Sequence, residues 1–350
     1  MVVPFTLGHK LRYHRRMQRL LWIGSPFFSP ALPARGWEVR AINFEDIAVF
    51  SWADLVAKAG WEPDVLVVAD KSRPPFVLGI EDMPCLTVAY CVDTHIHSWL
   101  PFYAQGFDLC LVSLRDHLPL FAGKVLQEDQ IHWFPAFARD GDRPGPPEEE
   151  WDCLFVGTLN ATKTPKRIAF LQELRTLTPG LHTVSGDYRR FFPKGRVTLN
   201  HCEAGDLNFR VFEALGCGAC LLTPRVGHGL LDLFQDGVHL VAYDPNDVQD
   251  AAGRIRELLA NPLQRSLMRT AGLAAIDAGH RAGHRAEKLG RLLQDYPRQR
   301  IQERRQRAAR VRKQWLRVIY LHMADSENHP RLREAYLRAA QGAFGDGDAG

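Results

Sequence analysis

The sequence predicts an α/β protein of two doubly wound, Rossmann-like domains that face each other across a cleft, with extra helices at the C-terminus. Three observations carry that expectation. Between Arg19 and Ala138, short apolar runs alternate with helix-like or loop segments. A stretch rich in proline, glycine and charge, RDGDRPGPPEEE (139–150), then breaks the alternation. A second alternating unit follows it and runs to about Gln294. The expected boundaries are 1–140 for the first domain, 141–150 for a linker, 151–296 for the second domain and 297–345 for basic amphipathic helices.

In the first domain the strand candidates are RLLWIG (19–24), EVRAIN (38–43), DVLVVAD (64–70), CLTVAYCV (85–92), DLCLVS (108–113) and IHWFPA (131–136). Most are continuous apolar runs, the mark of strands covered on both faces in a parallel sheet. SWADLVAKAG reads as a helix with Ser51 as N-cap and Gly60 just past its end. The 139–150 stretch has nothing to bury and reads as an interdomain linker. In the second domain DCLFVG (152–157), LHTVSG, RVTLN, ACLLTP and HLVAYD are strand candidates. TPKRIAFLQELRTL reads as a helix with Thr164 as cap and Pro165 at its first position. Open α/β sheets bind ligands beyond the carboxyl ends of their strands, so the cleft between the two sheets is the expected site.

Composition narrows the class. With 350 residues, 46% hydrophobic and 24% charged, the chain has ordinary globular values. No apolar run approaches the roughly 20 residues that a spanning helix needs. The basic cluster near the start follows a very short apolar patch, the reverse of a secretory signal, so a cytoplasmic location is expected. Seven scattered cysteines, including Cys217 and Cys220 in CGAC, read as reduced buried thiols, since no second ligand pair makes a zinc site. Charge is uneven. Nine arginines and lysines between Pro297 and Tyr320 face one acid, Glu303, while the whole chain carries only +4.

The most informative stretch is GDLNFRVFEALGCGACLLTP (205–224). Asp206 or Asn208 can cap a short helix whose free N–H groups then point into the cleft, where they suit phosphate or polarised sugar oxygens. Glu213, a turn and a half on, could bind the vicinal hydroxyls of a ribose. Local physics leaves a second reading open, in which Glu213 lies on a solvated face and Asp206 is only a cap.

Together with GLLDLFQDGVHLVAYD and the trailing HRAGHRAEKLGRLL, this stretch resembles the nucleotide-sugar-binding domain of GT-B glycosyltransferases. It is closest to the group-1-like (GT4-like) branch that includes CgeB-type proteins. The match runs through Phe212, Glu213, Ala214, Leu215, Gly218, Leu233, Phe234, Asp236 and Gly237, and covers roughly 150–295. The resemblance implies that Glu213 holds the nucleotide ribose and that the amides around Asp206, Leu207 and Asn208 face the sugar or diphosphate. Arg210 lies in the same motif. Gly157 falls at a turn near the diphosphate, and Lys166 and Arg167 match a basic position that neutralises phosphates. Two positions depart from the pattern. Many retaining members pair two glutamates with seven residues between them, but the first position here is Gly205, with Glu203 and Asp206 the nearest acids; and Asp232 replaces the glutamate of the later turn.

In YCVDTHIHSW, His95 and His97 flank one isoleucine close to Asp93, at the carboxyl end of the fourth strand. His95 or His97 resembles the family's cleft histidine and could move a proton, with Asp93 as orienter or base. On an extended segment only one of the two would reach the site. His-x-His lacks a third ligand, so no metal and no cofactor are expected. The donor substrate implied is a nucleoside-diphosphate sugar, UDP-sugar being favoured, and the acceptor is a glycan, a lipid-linked group or a protein. The basic segment places Ile301, Ala308, Val311, Trp315, Val318 and Ile319 at helical spacing. The first expectation for it is an apolar stripe bracing the body with a wet basic face; docking of 298–317 on an anionic membrane is the alternative, and nucleic acid is disfavoured for want of a recognisable motif. A non-catalytic scaffold that keeps the same shell is the rival reading for the whole chain, supported by Gly205.

Overall fold

A computed structural model describes residues 18–46, 48–146 and 148–343. The basic stretch before Gln18 and the GDGDAG tail lie outside the described residues. The first sheet comprises β1 (Gln18–Gly24), β2 (Trp37–Ile42), β3 (Val65–Ala69), β4 (Leu86–Cys91), β5 (Leu109–Val112) and β6 (Ile131–Trp133), all parallel, in the order β2-β1-β3-β4-β5-β6. The second comprises β7 (Trp151–Val156), β8 (Leu181–Val184), β9 (Gly195–Leu199), β10 (Leu221–Pro224) and β11 (Val241–Tyr243), also parallel, in the order β11-β10-β9-β7-β8. Numbered within each domain, the orders are 2-1-3-4-5-6 and 2-1-3-4-5, doubly wound sheets whose strand order reverses between the first and third strands. The expectation of two Rossmann-like domains is met.

Alternate residues of each strand feed opposite cores, which is why the runs are apolar throughout. Leu20 and Trp22 face one layer of the first sheet, and Leu21 and Ile23 the other. The helices that cover the sheets are α1 (Trp52–Ala59), α2 (Pro165–Leu177), α3 (Phe209–Gly216), α4 (Val248–Ala260), α5 (Pro262–Gly279), α6 (Ala282–Asp295), α7 (Gln299–Gln306), α8 (Arg317–Ser326) and α9 (Pro330–Gln341). Helix α1 begins with a reciprocal Ser51–Asp54 capping box and ends at Gly60. In the second domain α2 and α4 cover one face of the sheet and α3 the other, while α5 reaches both, with Met268 in the first core and Ile276 in the second. No helix among the described residues is long and apolar enough to cross a membrane. All seven cysteines are buried and free.

Three features differ from expectation. The Thr164 hydroxyl is used inside its own turn, accepting the Asn160 N–H at 2.9 Å; the cap of α2 is instead the Glu203 carboxylate, which accepts the N–H groups of Lys166 (3.0 Å) and Arg167 (2.9 Å). The linker is not free of buried groups, since Asp142 is fully enclosed and accepts the Arg139 N–H (2.7 Å) and the Tyr188 hydroxyl (2.8 Å) beside the Arg189 guanidinium (2.7 Å). Helix α6, which alternation assigns to the second domain, packs Ala282, Ala286, Leu289 and Leu293 against the first sheet. The chain therefore crosses back at Gly279–Ala282, alongside its outward crossing: Ala138 N–H donates to His280 O and Ala282 N–H to Ala138 O, both at 2.9 Å.

The basic C-terminal segment braces the first domain, but through its arginines as well as its apolar stripe. Ile301, Ala308, Val311 and Ile319 are buried as expected, whereas Val318 is 67% exposed. Arg304, expected on a wet face, is buried and donates to the carbonyls of Ile80 (2.6 Å), Met83 (2.7 Å) and Cys85 (2.8 Å), with its guanidinium 3.0 Å from Asp108. Arg312 bonds the fully buried Glu81 at 2.6 Å. Burial raises the Glu81 carboxyl, and Arg312 opposes that shift. Breaking a buried pair leaves its partner uncompensated, so Arg304→Met is expected to cost about 3–5 kcal/mol in urea unfolding. Arg310→Met, on the exposed face, should stay within about 0.5 kcal/mol of wild type.

Candidate active site

The cleft between the sheets encloses about 410 Å³. Its second-domain wall is built at the reversal of strand order. Gly157 follows β7, Asn200 and His201 follow β9, and Asp206 to Arg210 lead into α3. The first-domain wall carries Asp93 and His95 after β4 and Ser113 after β5. Of the residues singled out from sequence, the lining brings together Asp93, His95, Gly157, Arg167, Asp206, Leu207, Asn208, Arg210 and Glu213. It does not include His97 or Lys166. Lys166 is exposed at the start of α2. The 93–97 segment is a turn rather than extended, with the Ile96 and His97 N–H groups both donating to Asp93 O, and the His97 ring packs against Trp99.

Asn208 stands at the N-cap position of α3, yet neither it nor Asp206 caps the helix by side chain. The Asn208 amide instead exchanges hydrogen bonds with Asn200 (3.2 Å) and reaches Cys202 Sγ (3.4 Å). The first-turn N–H groups are thus left without a side-chain cap where the helix meets the cleft, an arrangement suited to an anion. Glu213 is 8% exposed, and its Oε2 lies 3.3 Å from Arg210 Nη1. Burial raises its carboxyl above the usual range, with Arg210 opposing. The Arg210 guanidinium itself lies over the rings of Tyr188 (4.9 Å) and Phe192 (5.5 Å). Because the Tyr188 hydroxyl bonds Asp142, the hinge and Glu213 share one network.

Gly157 is required by close approach: a Cβ there would meet the Phe155 ring at 2.9 Å. Gly205 is different. Nothing lies within 4 Å of its Cβ position, but its φ of +76° is a left-handed turn conformation that strains an L side chain. Glu203 is committed to capping α2, which leaves Asp206 as the nearby acid that lines the cleft.

Asp93 is held by the Ser72 hydroxyl, while Asp70 accepts the Ser72, Val92 and Asp93 N–H groups. Burial, then the Asp70 and Asp206 charges, raise the Asp93 carboxyl to about 7. His95 Nε2 lies 4.0 Å from Asp206 across the cleft, and its buried Nδ1 has no hydrogen-bond partner among the described residues. His201, which sequence reading passed over, is pushed down to about 4 by burial and then by Arg167. Its place directly after a central strand was the available signal.

A second group missed from sequence joins the domains beside the cleft. Asp116, in the turn after β5, accepts the His228 N–H at 2.7 Å, and Arg115 pairs with Asp232. The His117 and His228 rings meet edge to face at 4.9 Å, with His117 Nδ1 2.7 Å from Thr94 Oγ1. Burial lowers both imidazoles; the His228 and His95 rings lower His117 further, while for His228 the Asp116 and Asp206 carboxylates oppose the shift and His95 adds to it. Among the described residues no group of three or more His, Cys, Asp or Glu is arranged to hold a metal ion.

Residues 167–291 match the Glycosyl transferase-like family model. No curated protein matches the sequence at a significant level. Among solved structures, sucrose-phosphate synthase from Thermosynechococcus elongatus is similar at 13% identity and a TM-score of 0.57, over 79% of this chain and 98% of that one. HepE from Anabaena, in complex with UDP-glucose, is similar at 12% identity and a TM-score of 0.57, over 79% and 100%. A glycosyltransferase from Rickettsia africae is similar at 8% identity and a TM-score of 0.53, over 80% and 98%. The chain thus has the GT-B glycosyltransferase fold, and its residues 167–291 are similar to the glycosyl transferase-like family.

Two outcomes follow from this geometry. Folding raises the Asp93 carboxyl, so the native state keeps a proton that the unfolded chain has lost, between the ordinary carboxylate range and about 7. Its contribution to stability therefore falls as pH rises through that window, and Asp93→Asn should gain melting temperature relative to wild type between pH 5 and pH 8, as scanning calorimetry would register. The double variant Arg115→Ala/Asp116→Ala removes the cross-cleft ties, and small-angle scattering should report a larger radius of gyration with secondary structure unchanged.

Proposed function

We propose that the protein is a glycosyltransferase that moves a sugar from a nucleoside-diphosphate donor, UDP-sugar first, to a hydroxyl acceptor, within the branch related to CgeB-type proteins. The observation that carries the reading is the convergence, at the reversal of strand order, of a buried Glu213 and an uncapped α3 N-terminus opposite Asp93 and His95. The UDP-glucose bound by the structurally similar HepE supports the donor class.

Glu213 accepts the ribose hydroxyls, with Arg210 beside its carboxylate opposing the upward shift that burial causes. The diphosphate lies against the first turn of α3 and Arg167; Lys166, outside the cleft lining, is left no assigned contact. As the bond from the anomeric carbon to the diphosphate oxygen breaks, negative charge grows on the leaving group, and those N–H groups and the guanidinium stabilise it. The acceptor oxygen bonds to the anomeric carbon on the same face from which the diphosphate departs, and its proton passes to Asp93, poised near neutrality, or to His95. Transfer is metal-independent and retaining in this reading. It takes place at a cytoplasmic site on a glycan, lipid-linked or protein acceptor. Closure of the domains excludes water.

Thermal shift against UDP, GDP, ADP, CDP and dTDP and their sugars tests this. A ligand at a hundred times its dissociation constant adds about 2.7 kcal/mol. One nucleotide should stabilise wild type and fail to stabilise Glu213→Gln. Silence across the panel from folded protein would favour the non-catalytic scaffold, for which Gly205 in place of a glutamate speaks.

A further inference from the structure

The exposed apolar side chains of the first domain are not scattered. Phe102 (41% exposed) lies parallel to the Trp315 ring at 6.1 Å, joining the short helix Leu100–Tyr103 to the C-terminal helices. The segment Arg312–Leu316 is wound as a π-turn, which breaks the helical register just where Trp315 meets Phe102. Val318 (67%) and Leu321 (40%) continue outward along α8, one turn apart. Leu120 (48%) adjoins on the other side, its carbonyl accepting Lys124 Nζ at 2.6 Å while that ammonium sits 5.9 Å over the Phe102 ring.

The charge on this face has one sign. Lys124, Lys313 and Arg317 interleave with the apolar group, and Arg310, bonded to Gln314, extends it. No ion pair involves any of these four among the described residues. The arginines that the fold consumes, Arg304 and Arg312, lie inward. The acid of α8, Asp325, stands at its far end, a turn beyond Leu321. Aromatic and aliphatic tips ringed by unpaired cations fit an interface whose outer layer is anionic and whose inner layer is hydrocarbon.

We propose that this face, centred on Phe102, Trp315 and Val318 and ringed by Lys124, Lys313 and Arg317, docks the protein on an anionic lipid bilayer. Docking is independent of the transferase reading. Where that reading also holds, the acceptor is carried by the lipid, because the Leu100–Tyr103 helix continues directly from the turn that bears His95, and His97, Trp99 and Tyr103 form a ring-to-ring chain between them.

The test is co-sedimentation of the full chain with phosphatidylcholine vesicles, with and without phosphatidylglycerol, at low and high salt. The expected result is partition onto the anionic vesicles alone, weakened by salt. Lys313→Glu/Arg317→Glu should lower it by at least about tenfold, since each basic residue near such a surface contributes roughly fivefold and two are lost. Phe102→Ser should lower it while the cations remain, which separates insertion from adsorption. UDP binding should be unchanged in these variants, so a failure here is distinct from a failure of the donor site. Absence of binding to anionic vesicles, equal binding to neutral ones, or undiminished binding by Lys313→Glu/Arg317→Glu would each overturn the proposal. So would a dimer in sedimentation velocity that Phe102→Ser disperses without any vesicle binding, since it would assign the face to a second copy of the chain.

Discussion

The arrangement depends on two arginines that hold the hinge. The chain passes between the domains twice, at Ala138 and at His280–Ala282, and the two passages lie side by side with paired backbone hydrogen bonds. Arg285 spans them by donating to the carbonyls of Pro135 and Ala136 (both 2.9 Å) and of Gly279 (3.0 Å). Arg281 adds bonds to the Arg139 and Asp142 carbonyls and to Asp277. Carbonyls in such a crossover have no strand or helix partner, and buried without one each is costly. The guanidinium fork satisfies several at once with fixed geometry, so it fixes the angle at which the two sheets meet. The cleft is a consequence of that angle.

The hinge also reaches the second-domain wall of the cleft. Asp142, between the crossings, bonds Tyr188, over whose ring lies the guanidinium that pairs with Glu213. Cross-cleft contacts at Asp116–His228 and Arg115–Asp232 hold the opposite side. The site thus has a fixed edge near Glu213 and a polar, breakable edge near His228. Under the proposed function, a cleft that admits a sugar nucleotide and then excludes water needs both.

Strand-level architecture was legible because both-faced burial writes itself as uninterrupted apolar runs, as in LLWI and VLVV. For Glu213 and the α3 N-terminus local signals left two readings open, and the side-chain cap expected from Asp206 or Asn208 is absent; the resemblance singled them out. What was hidden depended on partners distant in sequence. Nothing near Arg304 announces that Asp108 and three carbonyls of the 80–85 loop will enclose it. Asp142 reads as a solvated linker acid until Tyr188 and Arg189 are brought to it. Helix α6 has the same amphipathic period whichever sheet it covers, so periodicity could not say that it returns to the first. His95 and His97 were inseparable until the 93–97 segment proved to be a turn.

The most direct test of the central claim is a crystal structure of the protein with UDP. The account predicts ribose hydroxyls within hydrogen-bond distance of the Glu213 carboxylate and a diphosphate oxygen on the first-turn N–H groups of α3. UDP bound elsewhere, or in this cleft with its ribose away from Glu213, would contradict it.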